Sequence, residues 1–352
     1  MNDTSKPTPD SPPAPAAAPG PLLPRVYDLE LPGCREAQLS PEEVDHFKTN
    51  GFIVKKGLID PFELERVADS VWSAAAQLRF PLDRNDPATY TLPKDHGLFP
   101  ETEPKHTYHD GAGIPNYFGG KTGGWTWRHY APCTEDWFLE RTARHANVQA
   151  VVRQLIGENV RPSERCRGLY VVFPQSSDLD GGLSMHTDGI ASQLNCMIYA
   201  AACPPGGGGF TLWPGSHRSC YYHMETEYNM EPKEGYAELL AEIKATVEPV
   251  EIAAEAGDCC FWHPRSAHSA GVNTTSQLRI VVPCDFQQDN PTEPLPPYSG
   301  YSLRKARATG KSLSPENSGK KDELRLQWWI DTREFTAPDS PPRRDMWEDW
   351  AI

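Results

Sequence analysis

The sequence predicts a mainly β fold with flanking helices, organised as a two-sheet jelly roll, on three observations. From about residue 159 to residue 286 the chain breaks into short runs rich in β-branched and aromatic residues, separated by Gly, Pro and Asp. These runs follow one another without the regular helix-strand alternation that a parallel α/β sheet requires. Helix-start and helix-stop signals cluster before residue 158, with one later interruption at about 234–245.

Ser40-Pro41-Glu42-Glu43 opens the first helix, with a Ser cap, Pro at the first helical position and Glu three residues after the cap. Asn50-Gly51 stops it, and Phe52-Ile53-Val54 reads as a short strand. Asp60-Pro61 starts a second helix whose Leu64, Val67, Val71 and Ala75 share one face. Residues 134–156 are expected to form one or two further helices, ended by Gly157. The strands expected beyond them are 168–173, 193–202, 210–213, 247–252, 259–263 and 278–286. Gly206 to Gly209 reads as a turn before Phe210, because no Lys-Ser/Thr follows to complete a phosphate loop. Pro214-Gly215-Ser216-His217 likewise reads as a structural turn.

The domain expected from these signals spans residues 26–290 of the 352. Residues 1–25 carry eight prolines and almost no bulky apolar side chains, so they cannot bury enough surface to offset chain entropy and are expected to be disordered. Residues 291–352 are Pro-rich and charged, yet Trp328, Trp329, Trp347 and Trp350 call for part of this extension to pack on the body. The longest apolar run, Leu194 to Cys203, is too short to cross a bilayer, and the first residues lack a secretory apolar core. A cytoplasmic protein is expected. The nine cysteines form no C-x-x-C pair, which argues against a zinc ribbon and for reduced, buried thiols. A net charge of −14 opposes nucleic-acid binding, which depends on clustered Lys and Arg, and favours a small-molecule substrate. The sequence says nothing of oligomeric state.

The chemistry is carried by His186-Thr187-Asp188. Alternate residues of an extended strand point the same way, so this spacing presents an imidazole and a carboxylate together. H-x-D alone is a weak signal, and its context strengthens it. Gly257 to His268 gives a tight turn, a strand and two histidines, His263 and His268. One of them completes a two-His-one-carboxylate triad, whose remaining open positions suit oxygen-activating Fe(II). On an unbroken strand, residues 263 and 268 face opposite sides, so one of them and not the other is expected as the ligand. His268 is taken as the ligand and His263 as a packed residue behind it. Arg279 stands inside the apolar run Leu278 to Val282, where a guanidinium is costly without a partner. An internal Asp or Glu is one partner; a dicarboxylate cosubstrate gripped by the planar guanidinium fork is the other.

The order His-x-Asp, Pro214-Gly215-Ser216-His217, Gly257-Asp258, His268, Arg279 resembles the phytanoyl-CoA dioxygenase family, as does the helix-strand opening from Leu39 to Ile59. The resemblance spans residues 38–286. It implies a cupin-like double-stranded β-helix in which His186, Asp188 and His268 hold Fe(II). It also implies that 2-oxoglutarate chelates that metal and meets Arg279 through its far carboxylate. The family holds the cosubstrate with further polar residues near the strand before H-x-D and after the distal histidine; here these are Arg167, Ser184 and Ser269, with Ala270 where some relatives carry a hydroxyl. Related halogenases replace the carboxylate with a small residue, so Asp188 favours hydroxylation, with O2 consumed and succinate and carbon dioxide released.

The segment His106 to Tyr130 mixes aromatic residues with glycines and reads as a lid facing substrate or as a plain surface loop; Trp125, Trp127 and Arg128 are its candidate contacts. Arg218 and Arg265 flank the triad and serve either an acidic group of the substrate or surface ion pairs. A small organic molecule, with specialised metabolism as one setting, is expected as substrate, and its identity is not legible. Two competing readings remain: a zinc or iron hydrolase or isomerase without 2-oxoglutarate, which leaves Arg279 unexplained, and a non-catalytic jelly-roll binding module.

Overall fold

A computed structural model describes residues 22–77, 80–91, 106–109, 115–119, 126–129, 131–175, 185–188, 192–223, 234–288 and 345–352. Its strands are β1 (Arg25–Val26), β2 (Phe52–Lys55), β3 (His106–His109), β4 (Pro115–Gly119), β5 (Thr126–His129), β6 (Leu169–Val172), β7 (Leu194–Tyr199), β8 (Phe210–Leu212), β9 (Val250–Ile252), β10 (Cys259–Trp262), β11 (His268–Ala270) and β12 (Arg279–Phe286). The α-helices are α1 (Pro41–Asn50), α2 (Pro61–Gln77), α3 (Asp136–Glu140), α4 (Ala146–Ile156), α5 (Ser216–Tyr222) and α6 (Tyr236–Thr246). The strands form a smaller sheet ordered β1-β9-β8-β11 and a larger one ordered β2-β10-β7-β12-β6-β5-β4-β3. Apart from the parallel β1-β9 pair, the ladders are antiparallel.

Alternation along each strand builds two separate cores. Phe52, Val54, Met197, Tyr199, Trp262 and Val281 of the large sheet meet Phe210, Leu212 and Ile252 of the small sheet. The intervening residues Ile53, Ile198, Phe261, Ile280 and Val282 turn the other way and pack on Phe47, Leu64, Val67, Val151 and Leu155 of the helices. This is the jelly-roll expectation realised. No helix of the described residues is long and apolar enough to cross a membrane.

The local signals at the start of the domain act as the sequence dictates. Ser40 Oγ accepts from the Glu43 amide at 3.2 Å while Glu43 Oε2 accepts from the Ser40 amide at 3.0 Å, a complete capping box. Glu43 is fully buried because Lys55 Nζ meets it at 2.7 Å and also donates to Gly33 O at 2.8 Å. Gly51 ends α1 at φ 81°, and a Cβ there would stand 2.5 Å from His217 Nδ1.

The structure departs from expectation in four places. Within the segment expected as a lid or loop, residues 106–109, 115–119 and 126–129 are strands that extend the large sheet beyond β6. Residues 216–222 form α5 after the expected turn. Residues 268–270 are a strand, too short for a period-2 pattern to declare itself. Arg25, placed in the disordered tail, pairs with Val250.

Residues 345–352 lie against the body. Trp350 stacks on His263 with centroids 5.5 Å apart, and Trp347 stands 5.8 Å from both Phe47 and His217. Gln193 and Gln288 both donate to Asp349 O, at 3.0 and 2.9 Å, and the Ala351 amide donates to Leu155 O at 2.9 Å. Residues 328 and 329 lie outside the described residues.

Burial holds His217 at about 4, and burial followed by the neighbouring His217 and Arg265 holds His263 well below its ordinary 6.5. Both imidazoles are therefore neutral in the folded protein, while the unfolded chain takes up protons from about pH 6.5 downward. Their contribution is whole above that pH and is lost as pH falls toward 4. At pH 5 the loss from His217 alone is about 2 kcal/mol. Urea unfolding at about pH 7.5 and pH 5 is expected to show a clear fall in midpoint on acidification; equal midpoints contradict this account of the histidine pair.

Candidate metal centre

His268 opens β11 and pairs with Leu212 of β8 on one side and with His186 on the other. The His186 amide donates to His268 O at 3.0 Å and the His268 amide donates to His186 O at 2.8 Å. Two residues that exchange both bonds are directly opposed and put their side chains on one face. The segment 185–188 thus adds an edge to the small sheet, and its register brings the two imidazoles to 4.5 Å between centroids. Asp188, two residues from His186, joins them by strand alternation.

One donor atom from each of His186, Asp188 and His268 lies within 4.8 Å of the others. His268 Nδ1 lies 2.9 Å from Ser266 O, so an Nδ1–H donated to that carbonyl leaves the Nε2 lone pair facing the cluster. His268 Nε2 stands 3.5 Å from Asp188 Oδ1. Phe210 and Trp262 surround the His268 ring at 5.1 and 5.9 Å, giving the cluster an apolar wall. Burial on its own would raise the Asp188 carboxyl; the Arg167 guanidinium and then His268 override it and hold the group far below the usual carboxylate range. Asp188 is therefore an anion at neutral pH. Two imidazoles and a carboxylate on one face are the donor set that suits Fe(II) with open positions.

Arg279 is the first residue of β12, and Val281 two positions on belongs to the inter-sheet core, so the guanidinium points between the sheets. It crosses to donate through Nη1 to Gly208 O in the turn before β8. Its Nε is buried with no hydrogen-bond partner, and among the described residues its one hydrogen bond goes to a carbonyl rather than a carboxylate. Among the described residues, the internal salt bridge weighed in the sequence is therefore not formed. A buried guanidinium with an unused donor is a fixed site for an anion.

The remaining candidates are dispersed. Ser269 pairs with Thr211 and turns away from the inter-sheet face that His268 occupies, so strand alternation removes it from the group around the metal ligands. Arg167 spends its donors on protein carboxylates, at 2.9 Å to Asp188 and 2.7 Å to Asp285, rather than standing free for a ligand. Trp127 is fully buried on the helix-facing side of β5 against Phe80, at 5.2 Å, away from the inter-sheet face that carries His268. Arg128, next along β5, turns the other way and lies 4.5 Å over the Tyr170 ring, toward the inter-sheet space. Arg265 is buried beside His263, Cys220 and Tyr236 rather than on the surface. Arg218 is exposed and donates to Lys48 O at 3.3 Å. Ser184 and Trp125 lie outside the described residues.

Three residues around the centre were not singled out from the sequence. Asn195 donates to Asp188 Oδ2 at 3.1 Å, Asp285 holds Arg167, and Tyr236 hydrogen-bonds Thr187, between the two H-x-D ligands. Asn195 and Asp285 each interrupt an apolar strand, the same signal that marked Arg279.

A family model described as phytanoyl-CoA dioxygenase matches residues 47–281. Among solved structures, the epimerase SnoN in complex with Fe3+, alpha ketoglutarate and nogalamycin RO is 19% identical, over 70% of this chain and 82% of that one, at a TM-score of 0.42. The carbocyclase SnoK from nogalamycin biosynthesis is 14% identical, over 72% and 85%, at 0.46. EctD from S. alaskensis with bound Fe is 17% identical, over 76% and 83%, at 0.46. Likenesses this distant carry no argument about substrate. No curated protein matches the chain.

Proposed function

The chain belongs to the phytanoyl-CoA dioxygenase family, and we propose that it is an Fe(II)- and 2-oxoglutarate-dependent dioxygenase that hydroxylates a small organic molecule. The observation that carries this reading is the convergence of His186, Asp188 and His268 donors within 4.8 Å, accompanied by an unpartnered buried Arg279 Nε. His186, Asp188 and His268 would hold the iron, and Arg279 the far carboxylate of 2-oxoglutarate. The iron, when bound, supplies oxygen activation coupled to oxidative decarboxylation of 2-oxoglutarate to succinate and carbon dioxide.

The protein's own part is preorganisation. Ser266 O fixes which nitrogen of His268 faces the metal position, and the His186-His268 bridge fixes the spacing of the two rings. Phe210 and Trp262 keep water from the ring of His268. Arg279, anchored on Gly208 O, orients a dicarboxylate by gripping the end away from the reacting carbon. The inward turn of Arg128 over Tyr170 supports a place for both along the substrate's approach. The reaction is assigned to the cytoplasm, a reading supported by nine buried free thiols, which suit a reducing compartment.

Succinate release measured against a panel of small metabolites tests the proposal. The expected result is O2- and Fe(II)-dependent succinate formation that rises with one class of panel compound, with oxygen entering that compound. Turnover of a panel compound with Zn(II) and no 2-oxoglutarate would overturn it in favour of hydrolase or isomerase chemistry.

A further inference from the structure

Asp188 has two oxygens with different surroundings. Oδ1 faces the His268 Nε2 at 3.5 Å, on the side where the three donor atoms converge. Oδ2 accepts from Arg167 Nη1 at 2.9 Å and from Asn195 Nδ2 at 3.1 Å. Neither donor is loosely held. Arg167 is fixed by Nε on Asp285 Oδ1 at 2.7 Å and by a second bond from Nη2 to the same oxygen, and its backbone amide donates to Pro283 O at 2.9 Å. Asn195 is oriented by Ser192, whose hydroxyl donates to the amide oxygen at 2.6 Å and so turns the NH2 group toward Asp188. Asn195 and Asp285 are themselves paired across β7 and β12, so the clamp is built on neighbouring positions of the large sheet, opposite the sheet edge that carries the ligands.

Resting on the reading of Asp188 as a metal ligand, we propose that Arg167 and Asn195 are positioning residues that occupy Oδ2 of Asp188, so that the carboxylate offers a metal ion Oδ1 alone. A carboxylate free to rotate can chelate through both oxygens and take an additional coordination position. A three-ligand face on a six-coordinate ion leaves about three positions, two for a keto-acid chelate and one for oxygen. Holding Oδ2 in two charge-assisted or amide bonds keeps that last position open. The arrangement also gives Arg167 a defined role in place of the direct cosubstrate contact considered from the sequence.

The test uses Mn(II) alone as the probe, bound to the full chain, with water-proton relaxation read per bound ion. Arg167→Met is combined with Asp285→Asn, so that no buried carboxylate is left facing a missing cation. Relaxivity per bound Mn(II) is expected to fall by about one third as the second Asp188 oxygen displaces a water, and to fall no less when Asn195→Ala is added. Arg167→Lys, which keeps a cationic donor near Oδ2, is expected to retain most of it. A merely structural role would weaken Mn(II) binding while leaving the waters on each bound ion unchanged, and unchanged relaxivity per ion in the Arg167→Met/Asp285→Asn protein overturns the proposal. Unmodified protein that fails to bind Mn(II) overturns the metal-site reading itself, and this inference with it.

Discussion

His268→Ala abolishes Fe(II) binding, whereas His263→Ala leaves the affinity within a few-fold and costs the fold about 3 kcal/mol instead. His263 follows β10 directly and His268 opens β11, and both are buried, yet their surroundings differ. His268 faces His186 and Asp188 with its free nitrogen turned toward them by Ser266 O. His263 is enclosed by His217, Trp347 and Trp350, and its Nδ1 accepts from the Arg265 amide at 3.1 Å. Removing the first takes away a donor that no nearby residue replaces. Removing the second opens a cavity among aromatic rings. Equilibrium dialysis of Fe(II) under anaerobic conditions, paired with urea unfolding of the apoprotein, separates the two losses; the reverse pattern would show that His263 is the ligand.

Arg279→Ala weakens 2-oxoglutarate binding about 100-fold, near 3 kcal/mol, with Fe(II) affinity nearly unchanged. The loss is large because the cosubstrate's far carboxylate would enter a buried space without the guanidinium that pairs it, and an unpaired buried charge costs more than the pair was worth. Arg279→Lys recovers part of the affinity, since an ammonium supplies the charge without the planar fork. Iron is spared because Arg279 stands on β12, apart from the H-x-D segment and β11 that carry the ligands. Isothermal titration with 2-oxoglutarate in the presence of Mn(II) measures the first effect, and Mn(II) titration alone measures the second. An equal loss of both would mean that Arg279 supports the ligand strands rather than the cosubstrate.

The sequence made the helices and longer strands legible because their signals are local. The Ser40 cap with Glu43, the Gly157 stop and the apolar strand from Ile280 to Val282 each act over a few residues, and the structure carries each one. The strands in 106–129 were not legible because glycines and aromatic residues there look the same in an exposed loop and in strands that extend a sheet; pairing with β6 decides it. β11, at three residues, is defined by its partners β8 and His186 rather than by its own pattern. The same distinction runs through the site. His186 and Asp188 follow from alternation, and Arg279 from its cost in an apolar strand. Ser269 faces away from His268 because the two are neighbours on one strand, and that strand is not legible from three residues. Asn195 and Asp285 were within reach, each a polar side chain in a buried strand, but their pairing with Asp188 and with Arg167, just before β6, joins segments far apart in sequence.

An anaerobic Fe(II) titration in the presence of 2-oxoglutarate, followed in the visible spectrum, tests the account most directly. The account predicts a weak charge-transfer band that saturates at one ferrous ion per chain and is absent in the His268→Ala protein. Iron that binds without any band when 2-oxoglutarate is added, or a band that survives the loss of His268, would contradict it.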